Sequence, residues 1–461
     1  MDLSYYEFIK NESSTDRESN MDSKTLITEV PTLGKATLAS PLQKRADETG
    51  SSSFVSDQSR VIIEVDNARV NRMIKDEKVL PCFELAGPRH RIFFDPSKLK
   101  CALVTCGGLC PGINDIIRSI VLELHYAYGV RHIFGIRYGL QGFVAKYGHD
   151  LVDLTPETVV NIHDRGGTVL GSSRGPQDID EIIDSLERMN ISLLFMIGGD
   201  GTLTAAGRIA DAIIERGLKI GVVGVPKTID NDIYMVSRSF GFDTAVDVAT
   251  RAIISANNEA EGYPNGIGLI KLMGRHSGFI AATAVLAQQD VNFVLIPEVD
   301  FDLEGPSGLL SALEKRLAER KHAVIVVAEG AGQKFFADEK SNRDASGNIK
   351  LKDIGLYLKE TISSFFAGKG IDVSIKYIDP SYMIRSLPAN SNDRVFCNFL
   401  GRNSVHAGMA GKTSMLIGHW NNQFVHVPMK VIADKRKKVD PNGSLWRSTL
   451  GATGQGPLKN G

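Results

Sequence analysis

The chain is short of net charge, of cysteine and of uninterrupted apolar sequence, and each shortage closes off a class of function. Against 53 Lys and Arg stand 54 Asp and Glu, a formal net charge of -1, so no overall field draws the molecule to nucleic acid or to an acidic membrane. The cysteines, at 82, 101, 106, 110 and 397, are odd in number and dispersed. They read as reduced thiols of a cytosol-like compartment rather than as a disulfide framework, and Cys101, Cys106 and Cys110 lack the spacing of a structural zinc site. No apolar run reaches the ~18 residues of a membrane-spanning helix. The N-terminal stretch carries Asp2, Glu7, Glu12, Asp16 and Glu18 and no apolar signal core, which argues against a transit peptide and so against a plastid. The expectation is a soluble, cytoplasmic enzyme.

What the 461 residues do have is glycine, 45 in all, gathered where apolar runs end. The length suffices for two or three domains. Residues 192–232 set the pattern: SLLFMI runs into Gly198-Gly199-Asp200-Gly201-Thr202, an amphipathic segment follows, and KIGVVGV runs into Pro226-Lys227-Thr228-Ile229-Asp230-Asn231-Asp232. Leu203, Ala206, Ile209, Ala210, Ile213 and Ile214 between the two runs fall at helical spacing. Strand, helix, strand in about 40 residues is a βαβ unit with parallel strands, so both polar turns belong at the sheet end where open α/β folds bind ligands.

The same alternation runs along most of the chain. Residues 1–58 are polar and read as a disordered or loosely attached extension, and 59–97 as a segment along a domain edge. From residue 98 the strands expected are 101–106, 132–136, 192–197, 219–225, 267–272, 292–296, 323–328 and 372–378, with short ones near 414–418 and 423–427. Helices are expected at 113–124, after Thr155-Pro156, at 178–189, 242–260, 306–321, 354–367 and 393–410. The last ~28 residues, with Lys435-Arg436-Lys437-Lys438, read as a polar tail carrying a solvated basic patch. The class is α/β: two Rossmann-like three-layer lobes with parallel-rich sheets facing a central cleft.

Several turns carry chemistry. Gly198-Gly199-Asp200-Gly201-Thr202 offers bare backbone to a polyphosphate, and Asp200 suits Mg²⁺, which favours one or two carboxylates plus substrate phosphates. Asp230 and Asp232 point the same way if extended, so one can serve a metal while the other accepts a proton. Gly108, at the loop after 101–106, opens a helix as a phosphate loop does, though a tight turn has the same look. Arg174, beside Gly175, reads as a lid over phosphates or as an exposed turn. Arg275, Lys376 and Arg385 are cations near strand ends, a phosphate clamp if they converge and solvated charges if they do not. Glu329 could accept hydrogen bonds from sugar hydroxyls or cap a turn. Together the turns suggest phosphoryl transfer.

In order and spacing, GGxxPGxN, GGDGT, PKTIDND, MGR and a distal YxxR resemble the 6-phosphofructokinases over about residues 98 to 430. Within that family the chain looks like the plant-type ATP-dependent enzymes of the phosphofructokinase A group, close to the pyrophosphate-dependent branch. The resemblance implies transfer from ATP to D-fructose 6-phosphate, giving D-fructose 1,6-bisphosphate and ADP, the committed step of glycolysis. It also implies Mg²⁺, allosteric control and a homotetramer. It assigns 98–240 with about 386–432 to an ATP/Mg lobe, 241–385 to a fructose 6-phosphate lobe, and 433–461 to a tail. Carried over by position, Gly108, Arg174, Gly175 and Gly198, Gly199, Asp200, Gly201 and Thr202 would contact ATP. Asp200 and Asp232 would hold the metal. Asp230 would be the proton acceptor, with Thr228 and Arg275 as its catalytic companions. Thr228, Ile229, Asp230, Met273, Gly274, Arg275, Glu329, Lys376, Tyr382, Met383, Ile384 and Arg385 would hold the sugar phosphate. Gly201 leaves room for a nucleoside where the pyrophosphate enzymes carry Asp. Lys227 is shared with those enzymes, which keeps a pyrophosphate-dependent phosphotransferase open beside the ATP reading. A silent regulatory subunit is the other alternative. Cys106 and Cys110 flank the glycine loop, where oxidation could disturb the nucleotide.

Overall fold

A strand buried on both faces needs no alternation of polar and apolar residues, and Leu193–Gly198 and Gly221–Pro226 have none: all their residues are buried. They sit in the middle of a nine-stranded sheet. The structure, a computed structural model, describes residues 28–49, 54–76, 78–337, 349–433 and 435–460. In spatial order the sheet runs Arg60–Ile62, Cys82–Leu85, Gln423–Pro428, Met415–Trp420, Gly221–Pro226, Leu193–Gly198, Lys100–Thr105, His132–Ile136, Val152–Asp153. The five strands from Met415–Trp420 to His132–Ile136 are mutually parallel, and the flanking strands pair antiparallel. A second sheet of four strands, Phe293–Leu295, His322–Ala328, Gly266–Leu272 and Ser374–Ile378, is parallel throughout. The α/β fold with two parallel-rich sheets is the one expected.

Register decides which loops meet. Gly198 pairs with Pro226, and the Lys227 amide donates to the Gly198 carbonyl (2.9 Å), so the two turns of the βαβ unit leave the first sheet side by side. In the second sheet Leu272 pairs with Ala328, and the Glu329 amide donates to the Leu272 carbonyl (2.9 Å), so Met273-Gly274-Arg275 and Glu329 leave together. The sheets touch through these loops. The Arg275 amide donates to Asp230 Oδ2 (3.5 Å) and the Ser277 hydroxyl to the Asp230 carbonyl (3.2 Å).

Three expectations are corrected. No α-helix follows Thr155-Pro156; turns and a short 3-10 segment, Ile162–Asp164, stand there. Thr155 and Thr158 each accept the other's backbone amide on a hydroxyl, and such local bonds compete with helix formation, as do the β-branched Val159 and Val160. The C-terminal stretch is not a loose tail. Helix Ser444–Thr453 packs on helix Phe279–Ala287 with Trp446 buried, and Leu458 is buried in the core of the second lobe. Of the N-terminal extension, residues 1–27 and 50–53 lie outside the described residues, but what precedes residue 58 is attached where it is described. Leu33 is buried, its amide donates to the Gly411 carbonyl (2.9 Å), and Leu38–Ala39 pairs with Arg91–Ile92. An apolar residue needs a core to cover it, and composition averaged over 58 residues hid the few that have one.

Candidate active site

Each loop of the site is held by a specific bond or by a backbone only glycine tolerates. At the first loop Lys227 Nζ donates to the Gly108 carbonyl (2.7 Å) and the Ser172 hydroxyl to the Gly107 carbonyl (2.6 Å). A Cβ on Gly108 would stand 3.7 Å from an Arg174 guanidinium nitrogen, so the Arg174 side chain lies against this loop. At the second loop a Cβ on Gly198 would come within 2.3 Å of the Thr202 hydroxyl, whereas one on Gly201 would meet nothing within 4 Å. Asp200 is the first residue of helix Asp200–Glu215, and Gly199 before it gives no side-chain cap, leaving the helix start open to an anion.

The third loop is the most tightly bonded. Thr228 Oγ1 donates to Asp232 Oδ1 (2.7 Å), the Asp230 amide donates to Thr228 Oγ1 (3.2 Å), and the Ser239 hydroxyl donates to the Thr228 carbonyl (2.6 Å). Asn231 takes a left-handed φ of 54° there. In the facing loop Gly274 has φ 125°, and a Cβ on it would lie 2.4 Å from the Ser277 carbonyl oxygen, so no other residue fits.

These loops line a cleft of about 990 Å³ that includes Gly108, Arg174, Asp200, Gly201, Asp232 and Arg275. Asp230 lies half-buried beside it: its buried Oδ1 has no hydrogen-bond partner, and Oδ2 accepts the Arg275 amide. Burial, then the negative charges of Asp232 and Glu329, push the Asp230 carboxyl up to about 7. Burial and Asp232 push Asp200 up to about 6 against the pull of Arg436. Burial also raises Glu329, with Arg385 and Arg275 opposing.

The remaining expected residues divide. Arg385 reaches the site, its Nε 3.2 Å from Met273 Sδ. Met273 and Ile384 are fully buried and Ile229 nearly so, and all three belong to the hydrophobic core. Tyr382 and Met383 are 81% and 68% exposed. Lys376 is not brought to the others: its Nζ lies 3.8 Å from Glu259 Oε2 and 4.3 Å from the centroid of the Tyr263 ring. Lys376 pairs with Gly268, four residues before the end of strand Gly266–Leu272, which puts it roughly 13 Å back from the loop end. Cys106 and Cys110 are buried, and burial pushes their thiols up to about 12, so neither carries the thiolate that oxidation requires.

The basic run was missed. Arg436 Nε lies 3.1 Å from Asp200 Oδ2, and Lys435, Arg436 and Lys438 line the cleft. The one signal in sequence was indirect. Val439 and Trp446 are apolar residues that need covering, so the run had to lie between two attached segments.

The phosphofructokinase family model matches residues 100–407. The chain belongs to the phosphofructokinase family. An ATP-dependent 6-phosphofructokinase of Borreliella burgdorferi is 49% identical over 95% of this chain and 98% of its own length. One from Amycolatopsis methanolica is 46% identical over 92% and 94%. ATP-dependent 6-phosphofructokinase 1 of Arabidopsis thaliana is 47% identical over 81% and 79%. Among solved structures, a pyrophosphate-dependent phosphofructokinase from Marinobacter aquaeolei superposes with TM-score 0.63 at 19% identity, covering 77% of this chain and 91% of that one. A Pichia pastoris phosphofructokinase in the T-state superposes with TM-score 0.60 at 19% identity, covering 85% and 46%. These two share the family fold.

Proposed function

We infer that this chain is an ATP-dependent 6-phosphofructokinase, transferring the γ-phosphoryl group of ATP to the 1-hydroxyl of D-fructose 6-phosphate. The observation that carries the reading is Asp230: a buried carboxylate oxygen without a partner, at the seam of two lobes, next to a glycine loop with open space at Gly201. A sugar hydroxyl supplies the missing partner, and a base near neutrality can take its proton. Thr228 orients Asp232, and the Arg275 amide fixes Asp230. The Arg275 and Arg385 side chains offset charge at the sugar phosphate, beside Glu329 and Gly274. The donor polyphosphate lies along Gly108, Arg174, Gly175 and the loop from Gly198 to Thr202.

Among the described residues no cluster of three or more His, Cys, Asp or Glu could hold a metal by itself. Asp200 and Asp232 fit Mg²⁺ nonetheless, since that ion takes one or two carboxylates and completes its shell with water and phosphate oxygens. Bound there, Mg²⁺ supplies positive charge to the transferring phosphoryl group. The lobe built on the nine-stranded sheet serves ATP and metal, and the other serves the sugar phosphate.

Pyrophosphate as donor is the second reading, and Lys227 motivates it. Its ammonium is buried and engaged with the Gly108 carbonyl, a loop-shaping role compatible with either donor. Gly201 favours ATP, because an Asp there would add bulk and charge in the space open to a nucleoside. A coupled assay for fructose 1,6-bisphosphate, run with ATP and with pyrophosphate in parallel, tests the reading: turnover is expected with ATP, and turnover with pyrophosphate alone overturns it. Family resemblance alone supports a homotetramer under allosteric control. Among the described residues no helix is long and apolar enough to cross a membrane, and we place the enzyme in the cytoplasm.

A further inference from the structure

After the short helix Met429–Ile432 on the first lobe, the chain crosses to the second lobe, and the crossing is fastened at three points. Arg436 forms an antiparallel bridge with Ile233, the Lys437 amide donates to the Asp232 carbonyl (2.8 Å), and the Val439 amide donates to Glu298 Oε1 (2.8 Å). Neighbouring basic residues on this strap have different employment. Lys437 Nζ is consumed by the carbonyls of Val236 (2.7 Å) and Ser237 (3.1 Å) and lies 5.1 Å from the centroid of the Phe279 ring, so it anchors. Arg436 has its backbone tied at the bridge while its side chain points into the cleft and pairs with Asp200.

Donor binding as read above competes with that pairing. Were Asp200 to hold Mg²⁺, the guanidinium, about a third exposed in the cleft, would lose its carboxylate partner. The incoming polyphosphate is the anion at hand, and a planar guanidinium fork matches its oxygens. We propose that Arg436 is a donor-site residue: it neutralises Asp200 in the free enzyme and passes to the polyphosphate chain of the bound donor. This rests on the donor-site reading of the glycine loops. It gives the C-terminal strap a part in phosphate recognition, and the shared chemistry is a metal-bound polyphosphate, whether nucleotide or pyrophosphate.

The test is equilibrium binding by titration calorimetry on the full chain, with Mg²⁺ and ATP, with Mg²⁺ and pyrophosphate, and separately with fructose 6-phosphate. Arg436→Gln is expected to weaken the bound polyphosphate donor by about ten- to a hundredfold, the loss of a charged hydrogen-bonding group. Fructose 6-phosphate affinity is expected to change less than about twofold, and Arg436→Lys to recover part of the loss. A thermal midpoint within a few degrees of wild type supports a loss of recognition rather than of fold. Unchanged donor affinity in Arg436→Gln, or equal weakening of donor and sugar phosphate, overturns the proposal. Wild-type protein that binds pyrophosphate but not ATP overturns the ATP reading, while the same arginine loss in the pyrophosphate arm still supports the strap's role.

Discussion

The two sides of the cleft handle charge in opposite ways. On the first lobe the charges are engaged before any ligand arrives: Asp200 with Arg436, Asp232 with the Thr228 hydroxyl, Lys227 with the Gly108 carbonyl. On the seam with the second lobe, Asp230 has a buried oxygen with no partner, and the negative charge of Glu329 raises its carboxyl further. The first side is organised to hold a charged group by exchanging partners that are already in place. The second holds an unsatisfied group whose cost falls when a hydroxyl binds. Binding and chemistry are thus separable by mutation.

The largest expected effect lies on the unsatisfied side. Asp230→Ser should lower kcat by about 10²- to 10⁴-fold, the usual weight of a positioned base, with KM for fructose 6-phosphate changed only a few-fold. Steady-state kinetics checks this, and a loss confined to KM would break the contrast. On the engaged side, Gly201→Asp should cut kcat/KM for ATP by roughly a hundredfold, some 2.7 kcal/mol, through bulk and charge aimed into open space, while leaving fructose 6-phosphate affinity intact.

A third test sets packing against exposure within one short helix, Ser381–Ser386. Ile384→Ala should cost about 2–5 kcal/mol of stability, as fully buried aliphatic truncations do. Met383→Ser should stay within about 0.5 kcal/mol, by chemical denaturation of both variants.

The smallest effect is a pH signature. A carboxyl raised by burial gives stability that is complete below its ordinary value near 4 and is lost as pH rises through the folded value, about 7 for Asp230. Asp230→Asn should therefore gain stability over wild type as pH rises from about 4 to about 7, with the two differing least near pH 4. Activity has the opposite slope. The base must be ionised, so kcat/KM for fructose 6-phosphate should climb through pH 7 and level off above it.

The fold was legible because its central strands are buried on both faces and so are written as unbroken apolar runs. The site was legible where loops leave those strands, since Gly198 pairing with Pro226 follows from any in-register parallel βαβ unit. Side-chain direction was not legible. Tyr382, Met383 and Ile384 are consecutive, yet one helical turn sends the first two to solvent and the third into the core. Lys376 looked like a cation at a strand end until register set it against Gly268. The basic run at 435–438 was lost for a deeper reason. A stretch with no periodicity gives no hint of what it crosses, and only the long-range pairings at Ile233, Asp232 and Glu298 reveal that it bridges the cleft.

Asp230 belongs by connectivity to one lobe, but its carboxylate is fixed by the Arg275 amide and its carbonyl by the Ser277 hydroxyl, both from the other. The proposed base is therefore nobody's private property: separating the two lobes would leave Asp230 without the Arg275 amide and the Ser277 hydroxyl that position it. The group proposed to take the sugar's proton is a trait of the joint, held by bonds from both lobes.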